Sequence, residues 1–231
     1  QGDILLSVAG KPAAVVNRLE GISQLEPSPA HCHAMGTTLA HMHLTARSYE
    51  NQQPNLRGLS WWNQTVPDIL PFLNEAQAAT LQHELAFQNH VQSTFAYTAL
   101  PKGAVHADAF RNNVMFVDDQ LSGVFDFYFA GVDSWLFDLG VCLNDWCIDL
   151  ASGSFHPEHL TAMLQGYESV RPLSAAERAL FNPMLRAAAL RFWISRLWDF
   201  HLPREASLLQ AHDPGHFERV LLARLHNPVT L

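Results

Sequence analysis

The chain has 231 residues, 48% hydrophobic and 16% charged, a balance that supports a full core and excludes a disordered chain. Two lysines and twelve arginines stand against 22 acidic residues, a net charge of −8, so no broad basic surface is available for nucleic acid. The length suits one large domain, or one with a small appendage, and no apolar run is long enough to predict a membrane span.

In chain order, apolar runs at residues 4–8 and 13–16 flank Ala9-Gly10-Lys11-Pro12 and predict a β-hairpin. A start at Gln1, on the lead-in to that first strand, is read as a chain that is processed or whose front part is missing. Ser28 as N-cap, with Pro29 at the first helical position, opens a helix that carries Met35, Leu39 and Met42 at helical spacing to about Ala46. Residues 54–62, punctuated by Pro and Gly, read as a loop, and 69–91 as mostly helical. Short strands follow at 104–106, 114–117 and 121–125. The turn Asp118-Asp119-Gln120 joins the last two, so the loops before and after this hairpin face the same way. Beyond Asp133 the chain returns to helix. A capping box, Ser174 to Glu177, opens a long helix toward Phe200, and Asp213-Pro214 starts a final one.

The loop His106-Ala107-Asp108 carries Asn113 five residues after Asp108, and Asp126 follows thirteen residues later at the end of the next strand. Phosphoryl transfer needs a carboxylate to orient a hydroxyl and accept its proton, and hard oxygen ligands to hold Mg²⁺ against a triphosphate. Asp108, Asn113 and Asp126 supply that set if the intervening hairpin is short.

At these residues the sequence resembles the aminoglycoside phosphotransferase and choline kinase branch of the protein-kinase-like fold, and within it the bacterial homoserine kinase family. The resemblance rests on HADAFRNNVMF at 106–116, GVFDFYFA at 123–130, DLGVCLNDWCID at 138–149 and RAAALRFWISRLWDFHLPR at 186–204. It implies an α+β fold. Residues 21–231 form a mostly helical C-terminal lobe with a catalytic β-hairpin, and residues 1–20 are a remnant of the N-lobe sheet and hinge. It also implies an ATP- and Mg²⁺-dependent kinase of L-homoserine in the cytoplasm, working in threonine biosynthesis with no nucleic-acid or membrane partner; oligomeric state is not legible. Asp108 would be the catalytic base, Asn113 and Asp126 the Mg²⁺ ligands, and Met115 part of the adenine floor. The segment Val16-Asn17-Arg18-Leu19 would be the hinge that meets adenine through backbone groups, and Asp138 an anchor of the catalytic loop, a role compatible with that of a simple N-terminal helix cap.

The family's strand lysine and phosphate-covering loop have no counterpart here. Lys11, in a turn, and Lys102 are both expected to be solvated, so the chain as given should lack the phosphate-binding cation and be inactive without a further small lobe. A zwitterionic amino acid needs an acid for its ammonium and a cation for its carboxylate. The candidates are Asp133, Asp145 and Asp149 on one side, and Arg111, Arg191 and Arg196 on the other, with Arg191 and Arg196 spaced too awkwardly to share a helix face. Tyr128 and Trp146 are candidate pocket walls or core residues. The pairs His31/His33 and His41/His43 point to different helix sides and make poor chelates, with His43 read as packing near the catalytic loop. His106 reads as an orienter of that loop. Cys32, Cys142 and Cys147 are too few for a disulfide framework and fit a reducing compartment, the last two as buried apolar residues. A kinase of another small alcohol (choline, an aminoglycoside or a sugar) and a non-catalytic kinase-like binding protein remain the alternatives.

Overall fold

In the computed structural model the described residues are 6–50, 52–202 and 212–231. Ile4 and Leu5 of the expected first strand, and Pro203 and Arg204 of the last family-like segment, lie outside them. The elements are β1 (Leu6–Val8), β2 (Lys11–Ala13), α1 (Pro29–Thr45), α2 (Leu59–Ile69), α3 (Glu75–Gln92), α4 (Phe95–Thr98), β3 (Lys102–Val105), β4 (Val114–Val117), β5 (Gln120–Val124), β6 (Gly131–Ser134), α5 (Trp135–Trp146), α6 (Pro157–Val170), α7 (Ala175–Ala179), α8 (Phe181–His201) and α9 (Gly215–His226). Three antiparallel pairs, β1–β2, β3–β6 and β4–β5, sit within a mostly helical body.

Helix α1 begins as its sequence dictates. Ser28 Oγ accepts from His31 N while His31 Nδ1 accepts from Ser28 N, and Pro29 fills the first turn, where its missing N–H costs nothing. Its buried face, with Cys32, Met35, Gly36, Leu39, Ala40 and His43, repeats at helical spacing and lies against α6. The approach is close: a Cβ at Gly166 of α6 would sit 2.1 Å from the His33 carbonyl oxygen. Helices α5 and α8 are buried nearly all round and pack on each other to form the centre of the core.

Five expectations from the sequence are corrected. Residues 59–62 belong to α2, whose N-cap is Gly58, and Asn74 caps a separate α3 with Gln77 completing the box, so 69–91 is broken at Leu73. Ser174 and Glu177 do form their capping box, but it opens the five-residue α7. Pro183 has no N–H to give the Ala179 carbonyl, so the chain breaks at Leu180 and restarts as α8. Strand β6 was not anticipated, because only pairing with β3 marks its four residues as strand. Finally, Lys11 opens β2, leaving Ala9 and Gly10 as the turn, both at positive φ.

Replacing Gly166 with alanine should push α1 and α6 apart and cost about 1–3 kcal/mol, the usual price of overpacking, read as a lower urea midpoint with an unchanged slope. A wild-type midpoint would show that the contact yields without strain.

Candidate active site

The site is built around a loop that leaves β3 and a hairpin that returns to it. Asp138, in the first turn of α5 and fully buried, accepts from His106 N (3.0 Å) and His43 Nε2 (3.0 Å) on Oδ2, and from Ala107 N (2.7 Å) on Oδ1. Burial alone would raise its pKa; the His43 hydrogen bond and charge, with the His106 contacts, bring it below the ordinary carboxylate value. The helix cap is Ser134, whose Oγ accepts from Leu136 N, so Asp138 acts on the loop and not as a cap. Ala107 sits at φ +61°, a left-handed conformation that costs an alanine on the order of 1 kcal/mol and persists here because Asp138 holds its N–H.

His106 Nδ1 accepts from Asp108 N (3.3 Å), so Nε2 carries the proton and donates to the Phe125 carbonyl (2.9 Å), with the ring packed against Phe127. One imidazole thereby ties the loop to the end of β5. Phe125 N in turn donates to the Asn113 carbonyl (3.0 Å), which sets the Asp126 corner, at φ +67°, beside Asn113. Asn113 Nδ2 donates to the Asp108 carbonyl (2.8 Å) and lies 3.5 Å from Asp108 Oδ2, leaving Oδ1 as the amide's remaining acceptor. Asp108, Asn113 and Asp126 are thus brought to one corner. Burial pushes the Asp108 pKa up to about 6; Arg191 and His106 oppose the rise, and Asp126 and Asp145 add to it.

A further run of contacts supports Asp138 from behind. His43 Nδ1 pairs with the Tyr167 hydroxyl (2.8 Å), which accepts from Arg171 Nε (3.1 Å), and Arg171 pairs with the fully buried Glu177. His43 was placed near the loop by sequence, whereas Tyr167 and Arg171 carry no motif and were missed, and Glu177 was read only as part of its capping box.

The other candidates sort by what they touch. Asp145 faces the loop, accepting from Arg111 N (2.8 Å) and Nε (3.1 Å), while Arg111 Nη1 donates to the Leu25 carbonyl (2.9 Å). Arg111 is therefore engaged in fastening the loop to α5 and to residue 25. Asp133 is held by Asn55 Nδ2 and Ser134 N, and Asp149 closes a surface turn with Ser152, so neither belongs to this corner. Trp146 is core, and its Nε1 donates to the Ala109 carbonyl (2.9 Å). Arg191 and Arg196, though five residues apart, both feel the charge of Asp108; the first lies 3.7 Å from the Phe192 ring and the second 5.0 Å from that of Phe217. Tyr128 is 85% exposed and, with Phe129, lines a cavity of about 340 Å³ shared with Gln53, Leu56, Arg57 and Trp61. Tyr128 was a candidate wall from the sequence, whereas Arg57 and Trp61 were missed because both lie in the 54–62 stretch that reads as loop.

Val16 and Arg18 are exposed. Beyond them the chain runs along β4: Ile22 and Phe116 exchange two backbone hydrogen bonds of 2.9 Å, and Ser23 Oγ reaches the half-buried Met115 Sδ (3.5 Å). Gly21 permits this at φ +100°, where a Cβ would meet the Phe116 carbonyl oxygen at 2.1 Å. Lys102, expected to be solvated, lays its ammonium 4.6 Å over the Tyr97 ring. All three cysteines are free and buried, with Cys32 Sγ on the Trp146 carbonyl, Cys142 Sγ on that of Ala109 and Cys147 Sγ against Met163 Sδ; burial pushes the Cys142 and Cys147 thiols well up. No helix among the described residues is long and apolar enough to cross a membrane.

Truncating Asp138 to alanine strands two buried backbone N–H groups at about 1–3 kcal/mol each and frees Ala107 from its strained conformation. We expect a loss of about 3 kcal/mol or more in chemical denaturation. A loss below 1 kcal/mol would show that other groups hold the loop.

Comparison with known proteins places this architecture. Residues 1–173 match the model of the phosphotransferase enzyme family. The chain is 57% identical over 231 residues to a homoserine kinase of Polaromonas naphthalenivorans, covering 100% of this chain and 73% of that protein. It is 54% identical over 225 residues to a homoserine kinase of Janthinobacterium sp. strain Marseille, covering 97% and 70%. Among solved structures, a choline/ethanolamine kinase family protein from Mesorhizobium loti superposes with a TM-score of 0.65 at 16% identity, over 97% of this chain and 74% of that one. An amicoumacin kinase solved with AMP-PNP and Ca²⁺ gives the same TM-score at 13% identity, over 97% and 68%. With the same fold, a matching family model over most of its length and relatives above 50% identity along all of it, this chain belongs to the phosphotransferase enzyme family.

Proposed function

We propose that this protein transfers the γ-phosphoryl group of ATP to the hydroxyl of L-homoserine, giving O-phospho-L-homoserine. The substrate follows from relatives named homoserine kinase at 53–57% identity. The observation that carries the chemistry is the corner where Asp108, Asn113 and the Asp126 turn meet, fixed by Asp138 and His106.

Asp108 is the group that takes the hydroxyl proton. Its pKa, raised by burial to about 6, leaves it mostly ionised at neutral pH and close enough to the working range for a base. Asn113 Nδ2 steadies Asp108, and that fixed geometry supplies most of the orientation of the attacking oxygen. One amide oxygen from Asn113 and one carboxylate from Asp126 form a small, hard donor set, too few for a closed protein cage and suited to Mg²⁺ shared with phosphate oxygens. Magnesium bound there neutralises charge on the triphosphate. We assign the exposed Val16–Arg18 backbone and Met115 to the adenine, and Asp145, the one acid of those considered that stands beside the loop, to the substrate's ammonium.

Asp108→Asn should lower kcat by roughly 10²- to 10⁴-fold while nucleotide affinity holds, measured by coupled assay and calorimetry; turnover within a factor of three of wild type would refute the role. Asp126→Ala should abolish the strengthening of ADP binding by Mg²⁺. An unchanged Mg²⁺ titration would remove Asp126 from the metal site. A panel of alcohols run alongside, with choline, an aminoglycoside and a sugar beside homoserine, tests the acceptor: a better rate on any of them overturns the substrate assignment.

A further inference from the structure

Arg191 holds unused donors in the core. It lies on α8, 3% exposed, with Nε and Nη2 buried and without a hydrogen-bond partner among the described residues. Several buried charges elsewhere are matched, Glu84 by Arg186, Glu177 by Arg171 and Asp138 by three donors, and the buried Arg224, which also has an unpartnered Nη2, still donates from Nε to Asn144. An ionised group held in the interior without a counterpart costs several kcal/mol, so a fold that keeps one there gains from it in another state. Its aromatic contacts, 3.7 Å to Phe192 and 4.8 Å to Phe129, lower that cost but leave the planar donor edge unused.

The surroundings say what would use it. A second guanidinium, that of Arg57, shares the Phe129 ring with Arg191, lying 5.9 Å from that ring and 4.2 Å from Trp61. Phe129, Arg57 and Trp61 line the 340 Å³ cavity, which begins two residues beyond Asp126 in the chain. Burial is the main cause that brings the Arg191 pKa down to about 10; Asp108 counteracts it, and the like charges of Arg57 and Arg196 reinforce it. The group therefore sits near the base on one side and near other cations on the other, an arrangement that a bound anion would relieve.

We propose that Arg191, with Arg57 beside the same Phe129 ring, binds the carboxylate of the amino-acid acceptor and so makes the site selective for an α-amino acid over a plain amino alcohol. This rests on the homoserine reading above and extends it to the determinant of specificity. A guanidinium presents paired N–H donors that match a carboxylate, and a short aliphatic chain is all that separates that carboxylate from the hydroxyl at Asp108.

The test is the selectivity ratio of the full-length enzyme: kcat/KM for L-homoserine divided by kcat/KM for 3-amino-1-propanol, which keeps the hydroxyl, chain and ammonium and lacks the carboxylate. Arg191→Gln should collapse that ratio by about 10²-fold, chiefly through the KM for homoserine, as expected for truncating one partner of a buried charge pair. Arg57→Gln, at a half-buried position that bears less on folding, should lower it about tenfold in the same direction, and Arg191→Lys should restore part of it. If Arg191→Gln slows both substrates equally and keeps the wild-type ratio, Arg191 only sets the charge state of Asp108 and the proposal is overturned. A ratio unmoved by Arg57→Gln, should Arg191→Gln fail to fold, overturns it too. Failure of the wild-type enzyme to phosphorylate homoserine while it accepts another alcohol is a different result: it removes the function on which the proposal stands.

Discussion

A carboxylate with no exposure to water is unstable unless its oxygens are filled, and Asp138 is filled by the residues that must be held still. Two of its three donors are consecutive backbone N–H groups, those of His106 and Ala107, immediately before Asp108. The third is His43, which is held in turn by Tyr167, Arg171 and Glu177. The desolvation cost of one charge is thus met by a conformation of the loop that no isolated peptide would keep, with Ala107 at φ +61°. The position of Asp108 is inherited from the core: α5 supplies the acid, α1 the imidazole, α6 and α7 the groups behind it.

The two sides of Asp108 are built differently. Toward the hairpin it meets polar oxygen and nitrogen, from Asn113 and the Asp126 corner, with His106 bridging to Phe125. Toward α8 it feels two cations resting on aromatic rings, the buried Arg191 on Phe192 and the half-buried Arg196 on Phe217. Its pKa is the balance of these: burial raises it, Arg191 and His106 lower it, and neighbouring acids raise it again. On the proposed reading a divalent ion suits the first side and an anionic part of an acceptor the second.

What could be read in the sequence was local or spaced along one strand pair. Ser28 and Pro29 start α1 by chemistry confined to four residues, and the hairpin between Asn113 and Asp126 is short enough that its two ends had to meet. What could not be read depends on partners distant in the chain. Gly131 to Ser134 is strand only because β3 lies beside it, and the α7–α8 break needs Pro183 to be weighed against a capping box that is itself correct. Arg111 offered a free cation on paper and is engaged by Asp145 and Leu25 in three dimensions. Arg191 looked no different from it, and only its burial against Phe129 and the neighbouring Phe192 distinguishes the two. Asp138 was assigned to the loop by family likeness; its geometry now supplies the reason.

The sulfur atoms carry a consequence of their own. Cys32, Cys142 and Cys147 come from α1, from α5 and from the residue that ends α5, the last packed on Met163 of α6, all facing inward with acidity suppressed by burial. An alkylating reagent in solution meets a thiolate only once these helices separate. The protein thus carries an intrinsic clock: the pace at which iodoacetamide adds mass to the native chain counts how often the helices behind the catalytic loop come apart.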